Sequence, residues 1–197
     1  PPIVSENGQD QTSQCGCSSG ESVGRITCAW RVVSLRYMST LTIGYDKLAA
    51  NHGIMFVEAA ATEIDPATKT LVTSRGRIRY TRLILSPGVD FRLEEMAGYD
   101  AAAMERIPHA WKAGAQTLLL KRQLDAMKDG GTVVMTVPLT PYRCPPGPYE
   151  RACMVASYFK VAKPKSKVVI FDANDDITSK KGLFMKAWDE HYKGMIE

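Results

Sequence analysis

The fold is decided by residues 132–172, which read TVVMTVPLTPYRCPPGPYERACMVASYFKVAKPKSKVVIFD. The apolar run Thr132–Val137 predicts a buried strand, and residues 149–161 follow helical spacing. A second apolar run, Lys167–Phe171, predicts another strand that ends at Asp172. A strand, a helix and a strand in this order form a right-handed βαβ unit with parallel strands. The second half of the chain is therefore expected to be an α/β domain.

Cys144 lies on the connection between the first strand and the helix, where ligands and chemistry collect in α/β proteins. The prolines at 145, 146 and 148 crowd this thiol and stiffen its loop. The helix N-terminal amides, together with Arg143 and Arg151, are expected to lower the pKa of the thiol and favour the thiolate. The residues alone leave two interpretations open, a small packed residue in a turn or a redox or nucleophilic thiol. Cys153, inside the helix, is expected to be buried and inert.

The same loop argues against a nicotinamide-nucleotide site in this half of the chain. Binding of a pyrophosphate by backbone amides requires a G-x-G-x-x-G turn. Residues 138–151 instead read PLTPYRCPPGPYER, with one glycine, Gly147, and five prolines that donate no N–H. Asp172 stands where a ribose-binding acid would stand, but the phosphate cradle that should accompany it is replaced by a thiol.

The first half of the chain reads differently. Residues 1–27 are rich in Ser, Gly, Gln and Asn, which is typical of disordered or poorly packed chain. The elements expected after them are a helix at Tyr45–His52, a strand at Ile54–Ala60, a turn at 65–68, a hairpin of Thr70–Ser74 with Arg77–Tyr80, a short buried strand at Leu83–Leu85 and a helix at Ala113–Lys128. A β-meander followed by a separate βαβ unit indicates two neighbouring domains.

Composition excludes several classes of protein. The net charge is +4, but the basic residues are scattered, so nucleic acid is not expected as a partner. No apolar stretch reaches the roughly 18–20 residues of a membrane span. The first residues lack the basic region followed by an apolar one that marks a secretory signal. The cysteines and histidines lack the spacing of metal ligands, so no metal site is expected.

Six strings of the sequence carry a resemblance: GYDKLAANHGI, AATEIDPATKTL, RYTRLILSPGVDF, IPHAWKAGAQTLLLKRQL, PYRCPPGPYERA and KPKSKVVIFDAN. In this order, over residues 41–197, they resemble the flavoprotein subunit of flavocytochrome c sulfide dehydrogenase. That family is related to sulfide:quinone oxidoreductases and, more distantly, to flavoenzymes of the glutathione reductase type. RCPPGPYER is the specific part of the resemblance, because the motif is long and unusual.

The resemblance implies a truncated α/β architecture with two dinucleotide-type domains. Residues 1–36 would be a disordered or aberrant segment, residues 37–104 part of an FAD-binding domain with a β-meander, and residues 105–197 a Rossmann-like central domain. The family's glycine-rich first strand and its second redox cysteine have no counterpart in this sequence, so an internal fragment is expected. FAD binding by this chain is accordingly expected to be weak or absent, and the chain to be inactive by itself.

The resemblance also implies a function, the FAD-dependent oxidation of sulfide in the periplasm with electron transfer to a c-type cytochrome subunit. Cys144 corresponds to one of two redox-active cysteines, whose disulfide sulfide attacks. Pro87 and Gly88 correspond to the end of the first part of the FAD domain. Cys28 is the candidate for the covalent flavin attachment that some members of the family have.

Two alternatives from other classes stay open. A sulfur carrier or sulfurtransferase would use Cys144 without a flavin, and a persulfide on Cys144 that cyanide removes from flavin-free protein would favour it. A non-catalytic module would retain only the surface that docks the cytochrome. Cytochrome binding that Cys144→Ser leaves unchanged, without sulfide turnover, would favour that second alternative.

Overall fold

The structure, a computed structural model, describes residues 21–22, 39, 42–87, 90–112 and 114–197. The chain forms two compact units, and the division lies between Lys121 and Arg122. The domain boundary expected from the sequence, between 104 and 105, lies earlier in the chain and stays a prediction. The proposed segment 1–36 lies outside the described residues except for 21–22.

The first unit contains short antiparallel sheets and short helices. Its described strands are β1 (Glu21–Ser22), β2 (Ile43–Gly44), β3 (Ala61–Asp65), β4 (Thr70–Thr73) and β5 (Gly76–Arg79). β1 pairs with β2, and β3, β4 and β5 form the meander that the sequence predicts. Its described helices are α1 (Asp46–His52), a 3-10 turn (Leu93–Glu95), α2 (Ala101–Met104) and the start of α3 (Ala115–Ala126), which crosses the division between the units.

The helix and turn expected at the start of this unit are confirmed. α1 ends at Gly53, whose φ of 61° is left-handed and favours glycine. In the turn at 65–68, the carboxylate of Asp65 accepts hydrogen bonds from the backbone N–H groups of Ala67 and Thr68. This is the local pattern by which aspartate stabilises turns.

Two strands expected in this unit are wrong. The strand expected at Ile54–Ala60 lies later in the chain, at β3. β3 begins at Ala61 because Ala61 pairs with Thr73, the last residue of β4, and residues before Ala61 have no partner on that strand. Leu83–Leu85 is not a buried strand, since Ile84 is 88% and Leu85 is 51% exposed. Within the described residues no strand pairs with this segment, so its backbone forms no inter-strand hydrogen bonds although its residues favour strands.

The second unit confirms the predicted βαβ unit. Strand β6 (Thr132–Val137), helix α4 (Gly147–Ala162) and strand β7 (Lys167–Asp172) follow in order. The two strands are parallel, in a register that runs from Thr132 opposite Lys167 to Val137 opposite Asp172. Their carboxyl ends therefore lie side by side at one edge of the sheet. A further helix, α5 (Lys181–His191), follows β7 and was not predicted.

Helix α4 supplies most of the core of this unit. Tyr149, Ala152, Val155, Ala156 and Phe159 are at most 1% exposed, and they lie on one side of the helix. Successive side chains of a strand point to opposite faces of the sheet, so α4 covers only one face of β6 and β7. The other face is exposed within the described unit. Val134 is 58% exposed and Phe171 is 61% exposed. The expectation that Thr132–Val137 is buried is therefore wrong for one of its two faces.

Lys163 joins the end of α4 to the end of α3. Its ammonium group donates to the carbonyl oxygens of Leu124, at 2.5 Å, of Asp125, at 2.9 Å, and of Met127. The last carbonyl groups of a helix have no partner inside the helix, and a cation is favourable there. The side chain is 8% exposed, so these carbonyl groups take the place of water around a buried charge.

None of the helices in the described ranges has both the length and the apolar character that crossing a membrane requires.

Candidate functional site

Cys144 lies at the edge of the sheet where β6 and β7 end, three residues before α4 begins. The residue has a φ of 60°, which is the left-handed region that residues other than glycine seldom adopt. Its carbonyl oxygen accepts a hydrogen bond of 2.8 Å from the N–H of Gly147, and its side chain is half-buried. A left-handed residue with a side chain costs on the order of 1–2 kcal/mol, so the surrounding contacts must hold it.

Tyr142 holds the peptide that follows Cys144. Its hydroxyl group lies 3.1 Å from the carbonyl oxygen of Pro145, to which it donates. The same hydroxyl oxygen lies 2.6 Å from Oγ1 of Thr178, in the segment that follows β7. Because Tyr142 uses its one proton toward Pro145, Thr178 is the donor in this second contact.

Tyr149 continues the chain of hydrogen bonds into the interior. Its hydroxyl group donates to Oδ2 of Asp172 at 2.5 Å and accepts from the backbone N–H of Thr178 at 3.1 Å. The side chain is 1% exposed, and its ring contacts those of Phe184 and Trp188, with centroids 5.5 Å and 6.5 Å away. Burial, followed by the hydrogen bond to Asp172, raises the pKa of Tyr149 to about 12.

Asp172, at the end of β7, is turned toward the protein. While Oδ2 accepts from Tyr149, Oδ1 accepts from the backbone N–H and the side-chain amide of Asn174, at 3.0 Å and 2.7 Å. Burial tends to raise the pKa of Asp172, but the hydrogen bonds from Tyr149 and Asn174 outweigh it and hold that pKa below the ordinary value. Both oxygens that would serve a ribose are therefore bonded to groups of the protein.

Asn174 ties down the beginning of the loop. Its side-chain amide donates to the carbonyl oxygen of Pro138, and its Oδ1 accepts from the N–H of Thr140, both at 3.0 Å. We call residues 138–146, between β6 and α4, the cysteine loop. Contacts from the segment after β7 thus reach this loop near its start, through Asn174, and near its end, through Thr178 and Tyr142.

Cys153, the other cysteine thiol in the described ranges, has a different environment. It lies in α4, half-buried, and its sulfur accepts a hydrogen bond of 3.2 Å from Nε1 of Trp188. Burial raises the pKa of the Cys153 thiol, which disfavours the reactive thiolate. The inert role expected for Cys153 agrees with this environment, although the side chain is only partly buried.

The other predicted site residues are not brought into this arrangement. Pro87 is exposed and belongs to the first unit, while Gly88 and Cys28 lie outside the described residues. Their roles toward a flavin stay predictions. Among the residues that the structure describes, no group of three or more His, Cys, Asp or Glu side chains is arranged to hold a metal ion.

The described residues do not fit the pyrophosphate of FAD. Such a group needs successive backbone N–H donors in a glycine-rich turn between a strand and a helix. The described turn of that kind, between β6 and α4, carries Pro145, Pro146 and Pro148, which have no N–H to donate. A thiol stands there in place of a phosphate cradle.

The residues that hold the cysteine loop were missed in the sequence, where only the loop itself was singled out. They are Tyr142, Tyr149, Asn174 and Thr178. Asp172 accepts hydrogen bonds from two of them, Tyr149 and Asn174. The signal that could have found them is the polar segment DANDDIT at 172–178, directly after the second parallel strand. Because parallel strands end at the same edge, that segment had to face the cysteine loop.

Residues 117–197 match the family model described as the central part of the flavoprotein chain of sulfide dehydrogenase, a flavocytochrome c. Over this stretch the resemblance to flavocytochrome c sulfide dehydrogenase is confirmed. The stretch contains the whole βαβ unit, the cysteine loop and the residues that hold it.

Solved oxidoreductase structures share the fold of this chain. The sulfide:quinone oxidoreductase of the hyperthermophilic bacterium Aquifex aeolicus is 17% identical, with a TM-score of 0.60 over 87% of this chain and 41% of that one. A ferredoxin reductase from Rhodopseudomonas palustris is 13% identical, with a TM-score of 0.66 over 100% of this chain and 43% of that one. Putidaredoxin reductase, in its covalent complex with putidaredoxin, is 14% identical, with a TM-score of 0.59 over 89% and 40%.

These likenesses confirm the predicted α/β class, an antiparallel meander combined with a parallel βαβ unit. The chain spans about two-fifths of the length of the structures it matches. The family match relates residues 117–197 to a flavoprotein chain, and the solved structures share the fold.

Proposed function

We propose that this chain is part of a flavoprotein that oxidises sulfide, and that Cys144 is the thiol that handles the sulfur. The observation that carries the proposal is the conformation of the cysteine loop. Within the stretch that matches the family, Cys144 has a left-handed backbone, and hydrogen bonds reach the carbonyl groups of Cys144 and Pro145. Costly conformations of this kind persist at functional sites when the surroundings hold them.

The reaction that suits this thiol is exchange at a disulfide between Cys144 and a second sulfur. Hydrosulfide attacks one sulfur atom, the S–S bond breaks, and the other sulfur leaves as a thiolate. The attacked sulfur keeps the incoming atom as a persulfide, so the electron pair released with the thiolate balances the oxidation of sulfide. A sulfur held in one orientation lowers the entropy cost of the in-line attack that exchange requires.

FAD would be the cofactor of the complete protein, where it supplies a two-electron acceptor, and a c-type cytochrome would be its partner in the periplasm. The family match supports the flavin and the cytochrome partner. Cys144 would be the catalytic residue of this chain, and Pro87, Gly88 and Cys28 would be flavin contacts.

Mass mapping of sulfide-treated protein tests the role of Cys144. The full chain, with Cys15, Cys17 and Cys28 replaced by Ser, is converted to mixed disulfides with a small thiol at Cys144 and Cys153 and then exposed to sulfide. We expect the mass of one added sulfur atom on the peptide that contains Cys144, and its loss in Cys144→Ser. Persulfide on both cysteines to the same extent, or on neither, would contradict the proposal.

A sulfur carrier without a flavin is the second candidate. It is favoured by one observation: the hydrogen bonds described above for the cysteine loop join residues 138–178 of the chain to one another. A carrier would pass sulfur from thiosulfate to cyanide repeatedly through Cys144 in flavin-free protein. Thiocyanate formation that turns over and that Cys144→Ser abolishes would favour the carrier over the oxidoreductase.

A further inference from the structure

We propose that Tyr149 is a positioning residue for Cys144, because its hydroxyl group, through Thr178 and Tyr142, holds the peptide that follows the thiol. The inference rests on the proposed role of Cys144 as the reacting sulfur and concerns how that sulfur is kept in place. Tyr149 does not itself need to touch the reacting atoms.

The path runs through both the backbone and the side chain of Thr178. The backbone N–H of Thr178 donates to the hydroxyl oxygen of Tyr149 at 3.1 Å. Oγ1 of Thr178 lies 2.6 Å from the hydroxyl oxygen of Tyr142, which donates to the carbonyl oxygen of Pro145. Pro145 is the residue directly after Cys144, so the path ends on the strained part of the loop.

Tyr149 is the fixed end of this path. The ring is buried between α4 and α5, against Phe184 and Trp188, and the hydroxyl group is bonded to Asp172 at the end of β7. The hydroxyl oxygen of Tyr149 thereby connects α4, the end of β7 and the segment that follows β7. Tyr142 and Thr178 are only partly buried, so without Tyr149 they would have less to anchor them.

The consequence is local. The left-handed conformation of Cys144 is costly by itself, and the contacts to the carbonyl groups at 144 and 145 oppose its relaxation. Removing the hydroxyl group of Tyr149 should allow the turn to relax while the ring continues to fill the core. The half-buried thiol would then lose its fixed position and become more accessible to reagents in solution.

The rates at which iodoacetamide alkylates Cys144 and Cys153 at one pH, followed by mass spectrometry, measure this effect. Cys153, on the same helix, is the internal reference for general loosening of the protein. Tyr149→Phe is compared with Tyr158→Phe, a matched control, because Tyr158 is also on α4 and its hydroxyl also donates to an aspartate, Asp125. Thr178→Val interrupts the path without touching the contact between Tyr149 and Asp172.

Tyr149→Phe should raise the alkylation rate of Cys144 about threefold or more, because the half-buried sulfur becomes more accessible when the turn relaxes. Thr178→Val should raise the rate at Cys144 as well. Tyr158→Phe should leave the rate at Cys144 unchanged, and the rate at Cys153 should stay the same in all three variants.

Two results would overturn the inference. They are an alkylation rate at Cys144 that Tyr149→Phe and Thr178→Val both leave unchanged, and equal changes of rate at Cys144 and Cys153. If Tyr149→Phe does not fold, Thr178→Val decides. Since alkylation uses neither sulfide nor flavin, failure here is distinguishable from failure of the sulfide reaction at Cys144.

Discussion

The hydroxyl group of Tyr149 lies 2.5 Å from Oδ2 of Asp172, which connects the first turn of α4 to the last residue of β7. These two elements carry the two sides of the site. The cysteine loop leads into α4, and the segment that holds the loop leaves β7. This hydrogen bond joins two residues 23 positions apart in the chain and thus holds the cysteine loop and the segment after β7 close together.

The ionisation of Tyr149 should report on its burial. Its pKa is raised to about 12 from 10.0, so the folded state holds this proton more tightly than the unfolded state does. The stability that follows from the raised pKa is present below pH 10 and is lost as the pH rises toward about 12. An ultraviolet titration of tyrosinate, taken as the difference between the protein and Tyr149→Phe, measures this. Ionisation of Tyr149 at the ordinary pH of tyrosine would contradict the expectation.

Asp172→Ala should destabilise the second unit by about 1–3 kcal/mol, because it leaves the buried hydroxyl group of Tyr149 without its acceptor. Asp172→Asn keeps an amide oxygen that accepts a hydrogen bond, and should cost less. The free energy of unfolding in urea gives both values. Asp175→Ala, at an exposed acid three residues later, is the control and should change stability by less than about 0.5 kcal/mol. Equal effects at Asp172 and Asp175 would refute the role of the pair.

Lys163→Met should cost about 2–4 kcal/mol, since three carbonyl groups at the end of α3 lose a buried, charged donor. Lys165→Met removes a neighbouring lysine whose side chain is exposed, and should cost less than about 0.5 kcal/mol. Urea unfolding compares the two. A Lys163→Met protein as stable as Lys165→Met would show that methionine packs there without loss.

Flavin should be absent from the purified chain or bound weakly. The glycine-rich turn that binds the pyrophosphate of FAD in the family has no counterpart in this sequence, and the turn between β6 and α4 has prolines at 145, 146 and 148. Absorbance and fluorescence of the purified protein, with and without added FAD, measure the bound fraction. One flavin per chain after purification would contradict this expectation.

The parallel unit was predictable because its signals are local. The apolar runs of β6 and β7 and the helical spacing between them need no knowledge of distant residues, and the cysteine loop is defined by its own prolines. The register then follows, since parallel strands joined by a helix end at one edge.

The predictions that failed concerned strand pairing and burial, which depend on residues distant in the sequence. Ile54–Ala60 and Leu83–Leu85 have the residues of strands, but a strand exists only where a partner offers hydrogen bonds. The open face at Val134 and Phe171 has the same cause, since burial of a sheet depends on what packs against it. The contacts of Tyr149 were hidden because they depend on side-chain direction across 23 residues.

The role of Cys144 as the sulfur-handling thiol is tested most directly by the rate at which sulfide attacks its mixed disulfide. The rates at Cys144 and Cys153 are measured in one chain, so that unfolding and sulfide concentration affect both alike. We predict a rate at Cys144 about tenfold or more above that at Cys153, because Cys153 is shielded in α4 and Cys144 is held at the edge of the sheet. Equal rates, or a faster reaction at Cys153, would contradict the account.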